Sequence, residues 1–450
     1  MKARMKAITL CIVVSLVCSA LLFAGGAKES VSSDRPEVNI LMWGGADRLN
    51  YFRTIYEANT ALTPENMANV TFTSGGKNAV DCYQLFRLSL SANDNIPGIV
   101  MFGSETAATE FILNGDLMDI SSQIQALQDD ILPAAMDLCS NDGKVYGVPT
   151  QVKSKVWYYR TDLFEKAGID VAAIKTFEDF YEAGMKFKKA FPDKYFINMG
   201  GTPNIDVLLG WLASYDGLKI SNEDGTYNVS SDPRFRDMFE KIYALAHADF
   251  SMYISDWDAD WQPAIESGKV ASLLSWSWMT EFLPKYAPDQ KGLWAMTSWP
   301  EEFMKGGSAE VVSIPVKAKN TSAAFEVLDT LFLKENSALA RFNENGLLPI
   351  TYSGVEKVRS SAAVARKPAE VSQEDWNLKP INFFGLEMVD SIWQTMQHAN
   401  KFESDPSFNA ESAILLNHIM MLIAGSETLD EAITNAQKDL EIQIGNPYDI

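Results

Sequence analysis

The chain is poor in the residues that do covalent and metal chemistry. It has four cysteines and three histidines in 450 residues. Cys11 and Cys18 lie in an apolar leader. That leaves Cys82 and Cys139, whose spacing matches no metal-binding pattern. In an exported chain they form either a disulfide or two buried thiols. His247, His398 and His418 stand apart from one another in stretches that read as helical. Neither G-x-S-x-G nor H-E-x-x-H occurs, and no G-x-G-x-x-G or P-loop is present to cradle phosphate. No cofactor and no metal are expected. Asp256-Trp257-Asp258-Ala259-Asp260 starts like a calcium loop, but Trp261 and Ser267 stand where such a loop needs glycine and glutamate. Positive charge is scarce too, with 38 Lys and Arg against 59 Asp and Glu. The deficit argues against nucleic acid and anionic membrane surfaces as partners, because phosphate contacts rest on lysine and arginine. A glycosidase needs only two carboxylates, so composition leaves that class open.

Apolar and aromatic residues are plentiful. The chain is 47% hydrophobic and holds 11 tryptophans, more than packing needs, so some are expected to line a site. Its length suits two domains. Residues 1–26 differ from the rest. Lys2, Arg4 and Lys6 precede an apolar run from Ala7 to Phe23, and Ala24-Gly25-Gly26 follows. This is a secretory signal peptide, with cleavage expected near Gly26. The run is slightly short for a permanent membrane span. A loose lipid-attachment motif at Cys18 is the alternative to a free exported protein. Setting the leader's three cations aside takes the net charge from −21 to −24.

The body opens with strand and helix signals in alternation. Strands are expected at Val38–Trp43, Val70–Thr73 and Ile96–Phe102, and helices at Asp47–Ala61, Val80–Ser91 and Thr106–Leu113. This order predicts an α/β fold on a parallel sheet. Ligands in such sheets bind beyond the carboxyl ends of the strands. Those ends are Trp43-Gly44-Gly45, Ser74-Gly75-Gly76 and Phe102-Gly103-Ser104. Next comes an extended stretch, Val145–Tyr159. A helix follows it, with Thr161 or Asp162 as N-cap and Gly168 as its stop. Helices then dominate. Thr176, with Asp179 three residues on, marks a capping-box-like start. Val270–Trp276 and Val311–Val316 read as strands. Residues 355–450 read as helical.

The segment Asp142-Gly-Lys-Val-Tyr-Gly-Val-Pro149, then Trp157-Tyr-Tyr-Arg-Thr-Asp-Leu-Phe-Glu-Lys-Ala-Gly-Ile-Asp170, then Thr176-Phe-Glu-Asp-Phe180, resembles the hinge-crossing strand of ABC-transporter solute-binding proteins of the carbohydrate-binding, maltose-binding-protein-like family. Further resemblances lie in Ala264-Ile-Glu-Ser-Gly-Lys-Val-Ala-Ser to Trp276, in Gly306 to Asn320, and in Phe342 to Pro349. The resemblance covers nearly all of residues 37–352. It implies a two-lobe periplasmic-binding-protein fold with parallel or mixed sheets, discontinuous lobes, a hinge and a helix-rich C-terminal part. Residues 37–148 with 308–350 are expected to form one lobe, and 149–307 with 351–450 the other. It further implies a monomeric, periplasmic, non-enzymatic receptor. Such a receptor captures a sugar or oligosaccharide by hinge closure and presents it to a membrane permease. A secreted carbohydrate-active enzyme and a sensory sugar-binding protein are the alternatives.

Sugars offer apolar C–H faces that indoles cover and hydroxyl rims that carboxylates and amides hold. The aromatic candidates are Trp43, Phe102, Trp157, Trp211, Trp257, Trp276 and Trp278. The family pattern favours Trp276 or Trp278 for stacking, and an extended Ser275-Trp-Ser-Trp278 would point both indoles the same way. The polar candidates are Asp47, Ser104 and Asp256, joined by Glu105, Asp258 and Glu310. Gly307 and Ser308 are expected to donate from the facing lobe. Each of these residues also has a plain structural reading: core filling for the aromatics, an N-cap for Asp47 and a turn for Gly307.

Overall fold

The computed structural model describes residues 35–60, 68–198, 205–254, 258–298, 306–365, 379–399 and 402–448. The expected signal peptide, Asp256 and Trp257 lie outside the described residues. Nine strands build one sheet: β1 (Glu37–Met42), β2 (Asn69–Ser74), β3 (Ile99–Phe102), β4 (Val148–Arg160), β5 (Ile197–Asn198), β6 (Ser251–Met252), β7 (Ser272–Trp276), β8 (Trp294–Thr297) and β9 (Gly307–Ser313). Their order is β2-β1-β3-β9-β4-β7-β5-β6, with β8 also paired to β4.

The first three strands are parallel, as the βαβ order predicts. β3 is buried along its whole length and β1 along most of it, which explains their unbroken apolar runs. The third strand starts at Ile99 rather than Ile96. Pro97 has no N–H to give the ladder. α1 (Ala46–Thr60) follows β1, α2 (Ala79–Ala92) follows β2, and α3 (Glu105–Leu113) follows β3.

β4 joins the two halves of the sheet. Val148–Ser154 pairs antiparallel with β9, which in turn pairs with β3. Lys155–Tyr159 then pairs with β7, and Trp157–Arg160 with β8. One thirteen-residue strand therefore belongs first to one set of partners and then to another. The helix after it runs Thr161–Ala167 and stops at Gly168, whose φ of 67° suits a residue without Cβ. No side chain caps its start, so Thr161 and Asp162 are helical residues rather than the N-cap. Thr176 and Asp179 do form the expected reciprocal capping box.

Buried apolar side chains form two clusters. Val38, Met42, Phe86, Phe102, Ala309, Phe342 and Ile392 belong to the first. Trp157, Phe164, Phe180, Phe196, Trp211, Phe235 and Leu415 belong to the second. α4 (Met279–Tyr286) and the helix Glu387–Gln397 contribute to the first cluster, and the latter packs on β4. Cys82 and Cys139 are both buried and are not joined in a disulfide, and burial pushes the Cys82 thiol up to about 12. Among the described residues no helix is long and apolar enough to cross a membrane.

Candidate functional site

The carboxyl ends of β1, β2 and β3 meet in one place because glycines let the chain turn there. Gly44 (φ +108°) donates its N–H to the Gly76 carbonyl at 2.8 Å, and Gly76 (φ +133°) is also left-handed. A Cβ on Gly76 would meet the Asp81 side chain at 2.4 Å. Trp43 stands half-buried at this edge. The guanidinium of Arg48, in the first turn of α1, lies 4.6 Å from its ring centre. At the end of β3, the Gly103 N–H donates to the Tyr83 hydroxyl at 2.6 Å, and Lys153 Nζ donates to the Gly103 carbonyl at 2.6 Å. Strand end, α2 and the crossing strand are thereby tied together.

Two buried carboxyls sit behind this edge. Glu310, on β9, accepts from Arg48 Nη2 at 2.8 Å and from the Thr150 hydroxyl at 2.7 Å. Burial opposes its charge, but Arg48, Lys153 and Thr150 outweigh it and hold the carboxyl below the usual range. Glu105 accepts at one oxygen from the Ser308 hydroxyl and the Ala309 N–H, both at 2.7 Å. Its other oxygen has no hydrogen-bond partner. Burial prevails here over the bonds from Ala309 and Ser308, and the carboxyl is raised above its ordinary value. Arg341 donates to the Thr150 carbonyl from the same interior.

The structure redistributes the expected site residues. Trp157 is enclosed by Phe164, Phe180 and Phe196, with ring centres 5.2–5.9 Å away. Trp211 is wholly buried in the second cluster, and Phe102 packs among Tyr83, Phe86 and Phe111. These three fill cores. Gly307 and Ser308 are likewise buried. A Cβ on Gly307 would meet Ala399 at 2.3 Å, and the Ser308 hydroxyl is committed to Glu105. Ser104 caps α3, accepting from the Ala107 N–H at 3.2 Å. Asp47 is exposed in the first turn of α1, where a negative charge favours the helix start.

The two later indoles divide. β7 ends at Trp276, and Trp278 already has helical angles (φ −65°, ψ −15°), so strand alternation does not extend to it. Trp276 is covered by Lys155, whose ammonium lies 3.4 Å from the ring centre. Trp278 is half-buried, edge-on to Phe282. The turn between them is pinned to β4. Tyr158 donates to the Trp276 and Ser277 carbonyls, and the Ser277 hydroxyl to the Val152 carbonyl. The chain thus brings Trp43, Ser104 and the Arg48–Glu310 pair to one edge, while the Trp276–Trp278 turn is pinned to the crossing strand.

Sequence reasoning passed over Arg48, Lys153 and Lys155. The signal was available for the lysines, which stand two residues apart in a strand and so face the same side. Glu411 was missed as well. α5 (Phe408–Ile423) carries it at the floor of a cavity of about 690 Å³. Asp137, Asn141 and Asp142 line one wall, and Ser221, Asp405 and Tyr448 the other. Burial, then the neighbouring Asp405 carboxylate, raise Glu411 from its ordinary 4.5 to about 9, against a lowering contact from Tyr227. A carboxyl raised on folding stabilises most below its unfolded value and loses that contribution as pH climbs through the folded one. Stability of the wild-type protein is therefore expected to fall between pH 5 and 9. Glu411→Gln is expected to flatten that slope when melting temperature is followed against pH.

A two-lobe α/β body whose halves share a crossing strand is the architecture of periplasmic solute-binding proteins. The sugar-binding protein MalE of Xanthomonas citri superposes with a TM-score of 0.72 at 16% identity, over 89% of this chain and 95% of that one. The galacto-N-biose/lacto-N-biose I-binding protein of Bifidobacterium longum, solved with lacto-N-biose, superposes with a TM-score of 0.71 at 17% identity, over 92% and 98%. The chain belongs to the bacterial extracellular solute-binding protein family, which it matches over residues 44–370. Among relatives by sequence, the arabinooligosaccharide-binding protein of Bacillus subtilis is 26% identical over 72% of this chain and 76% of its own. The lactose-binding protein of Rhizobium radiobacter is 27% identical over 66% of each.

Proposed function

We propose that this protein is the periplasmic substrate-binding component of an ABC importer. It holds a sugar or oligosaccharide between its lobes and delivers it, as a monomer, to membrane permease subunits. The observation that carries the reading is the crossing strand β4, shared by two sets of sheet partners, beside a half-buried indole at the ends of the parallel strands. The similarity to proteins named for arabinooligosaccharide and lactose supports a saccharide as the solute. Residues 37–148 with 308–350 form one lobe and 149–307 with 351–450 the other, and β4 is the pivot. Closure follows from the ligand's extra contacts in the closed form. Trp43 covers an apolar sugar face, Trp278 offers a second half-buried indole, and Asp47 and Ser104 stand at the rim for hydroxyls. The reading is of binding without turnover, so the ligand is released chemically unchanged.

Intrinsic fluorescence titration against a panel of mono- and oligosaccharides, neutral and amine-bearing, tests this. At least one saccharide is expected to saturate the protein near a micromolar dissociation constant, about −8 kcal/mol. Response only to peptides, or release of new reducing ends, would overturn it. Trp43→Ala is expected to weaken the saccharide found by about tenfold or more, measured by calorimetry, since truncating a stacked aromatic typically costs upwards of about 1 kcal/mol.

A further inference from the structure

Six acidic side chains and one lysine line the 690 Å³ cavity, among neutral polar residues. Asp137 and Asp142 face it from one side, and Glu223, Glu403, Asp405 and Glu411 from the other. Its single lysine, Lys219, already pairs with Glu403 at 3.1 Å. Glu411 is fully buried, and neither carboxyl oxygen has a hydrogen-bond partner. Its polar neighbours are Tyr227 and Asp405, and the Asp405 oxygens already accept from the Ser221 hydroxyl at 2.5 Å and the Ser407 N–H at 2.8 Å. A buried carboxyl without a donor is costly. One set among other carboxylates keeps its proton unless a positive charge arrives.

We propose that this cavity takes the cationic end of the protein's ligand, and that the solute is an amino sugar or other amine-bearing saccharide rather than a neutral one. The proposal rests on the saccharide reading above and narrows it. Three features favour an ammonium over a hydroxyl or a metal ion. An ammonium brings three donors and a charge to a group that lacks both, whereas a hydroxyl supplies a donor and leaves the repulsion among carboxylates in place. Among the described residues, no three acidic, histidine or cysteine side chains are grouped as metal ligands require. The cavity's volume is that of a small organic ligand site. The cavity also borders the helix that follows β3. Thr109 and Asn141 line both it and a smaller cleft that reaches Glu105, in the first turn of α3 just beyond β3.

Calorimetry with two disaccharides of one skeleton tests this: β-1,4-linked glucosamine disaccharide, whose amines are free, and its N-acetylated, uncharged form. The free amine is expected to bind at least tenfold more tightly, and the preference to shrink as salt is raised. The ratio is expected to fall toward one in Glu411→Gln. It is also expected to fall in the double variant Glu223→Gln/Glu403→Gln, which changes only exposed rim residues and so reports even if the buried substitution disturbs folding. Equal binding of the two forms, or tighter binding of the neutral one, would overturn the cationic ligand and leave the saccharide reading standing. Binding of spermidine with no saccharide binding would do the reverse. Binding of none of these probes or of the neutral panel would overturn both.

Discussion

Glu310→Ala is expected to destabilise the protein by about 3–5 kcal/mol, the cost of leaving buried charges without their partner. The side chain is 5% exposed and accepts from both Arg48 and Thr150. Removing it leaves Arg48 facing Lys153 and Arg341 with nothing between them to offset like charge. Because α1, β4 and β9 meet at this carboxylate, the loss falls on the junction of the sheet's halves. Glu310→Gln keeps a bond to Thr150 and is expected to lose less. The sign with pH follows from the depressed carboxyl. Its contribution is present above the ordinary carboxylate range and is lost as pH falls through the lower folded value. Denaturant melts of both variants at pH 7 and at pH 3 check this. The gap between wild type and Glu310→Ala should narrow at the lower pH.

Trp157→Ala is expected to cost about 3–5 kcal/mol, the range for truncating a buried aromatic into a cavity. Its indole is 1% exposed and packed against Phe164, Phe180 and Phe196. This substitution also separates the two roles a tryptophan can have in this chain. Trp157→Ala should lower the melting temperature sharply, and Trp157→Phe should recover much of the loss while saccharide affinity holds near wild type. Trp43→Ala should do the opposite, weakening affinity with little change in melting. Paired calorimetric melts and titrations on the three variants report both quantities.

The sheet was legible because burial on both faces forces unbroken apolar runs. Val38–Trp43 and Val70–Thr73 fall within a residue of β1 and β2, and the stretch to Tyr159 anticipates the crossing strand. Capping chemistry is equally local, so Thr176 with Asp179 could be read three residues apart. The site was less legible, for two physical reasons. An indole is apolar whether it fills a core or meets a sugar. Trp157 and Trp211 therefore look like Trp43 until their neighbours are known. The polar centre, in turn, is assembled from Arg48, Glu105, Lys153 and Glu310, which the chain keeps up to 262 residues apart. Only the β3–β9–β4 order brings them together. Ser308 shows the same limit from the other side. It was expected to donate to a ligand from the facing lobe, but its hydroxyl goes to Glu105, a partner 203 positions away.

The most direct measurement is a crystal structure grown with the tightest saccharide from the titration panel. A sugar ring about 4 Å from the Trp43 indole, held by side chains from both lobes either side of β4, is the expected result. A saccharide seated on one lobe alone, or bound away from the ends of β1 to β3, would contradict capture by closure about the crossing strand.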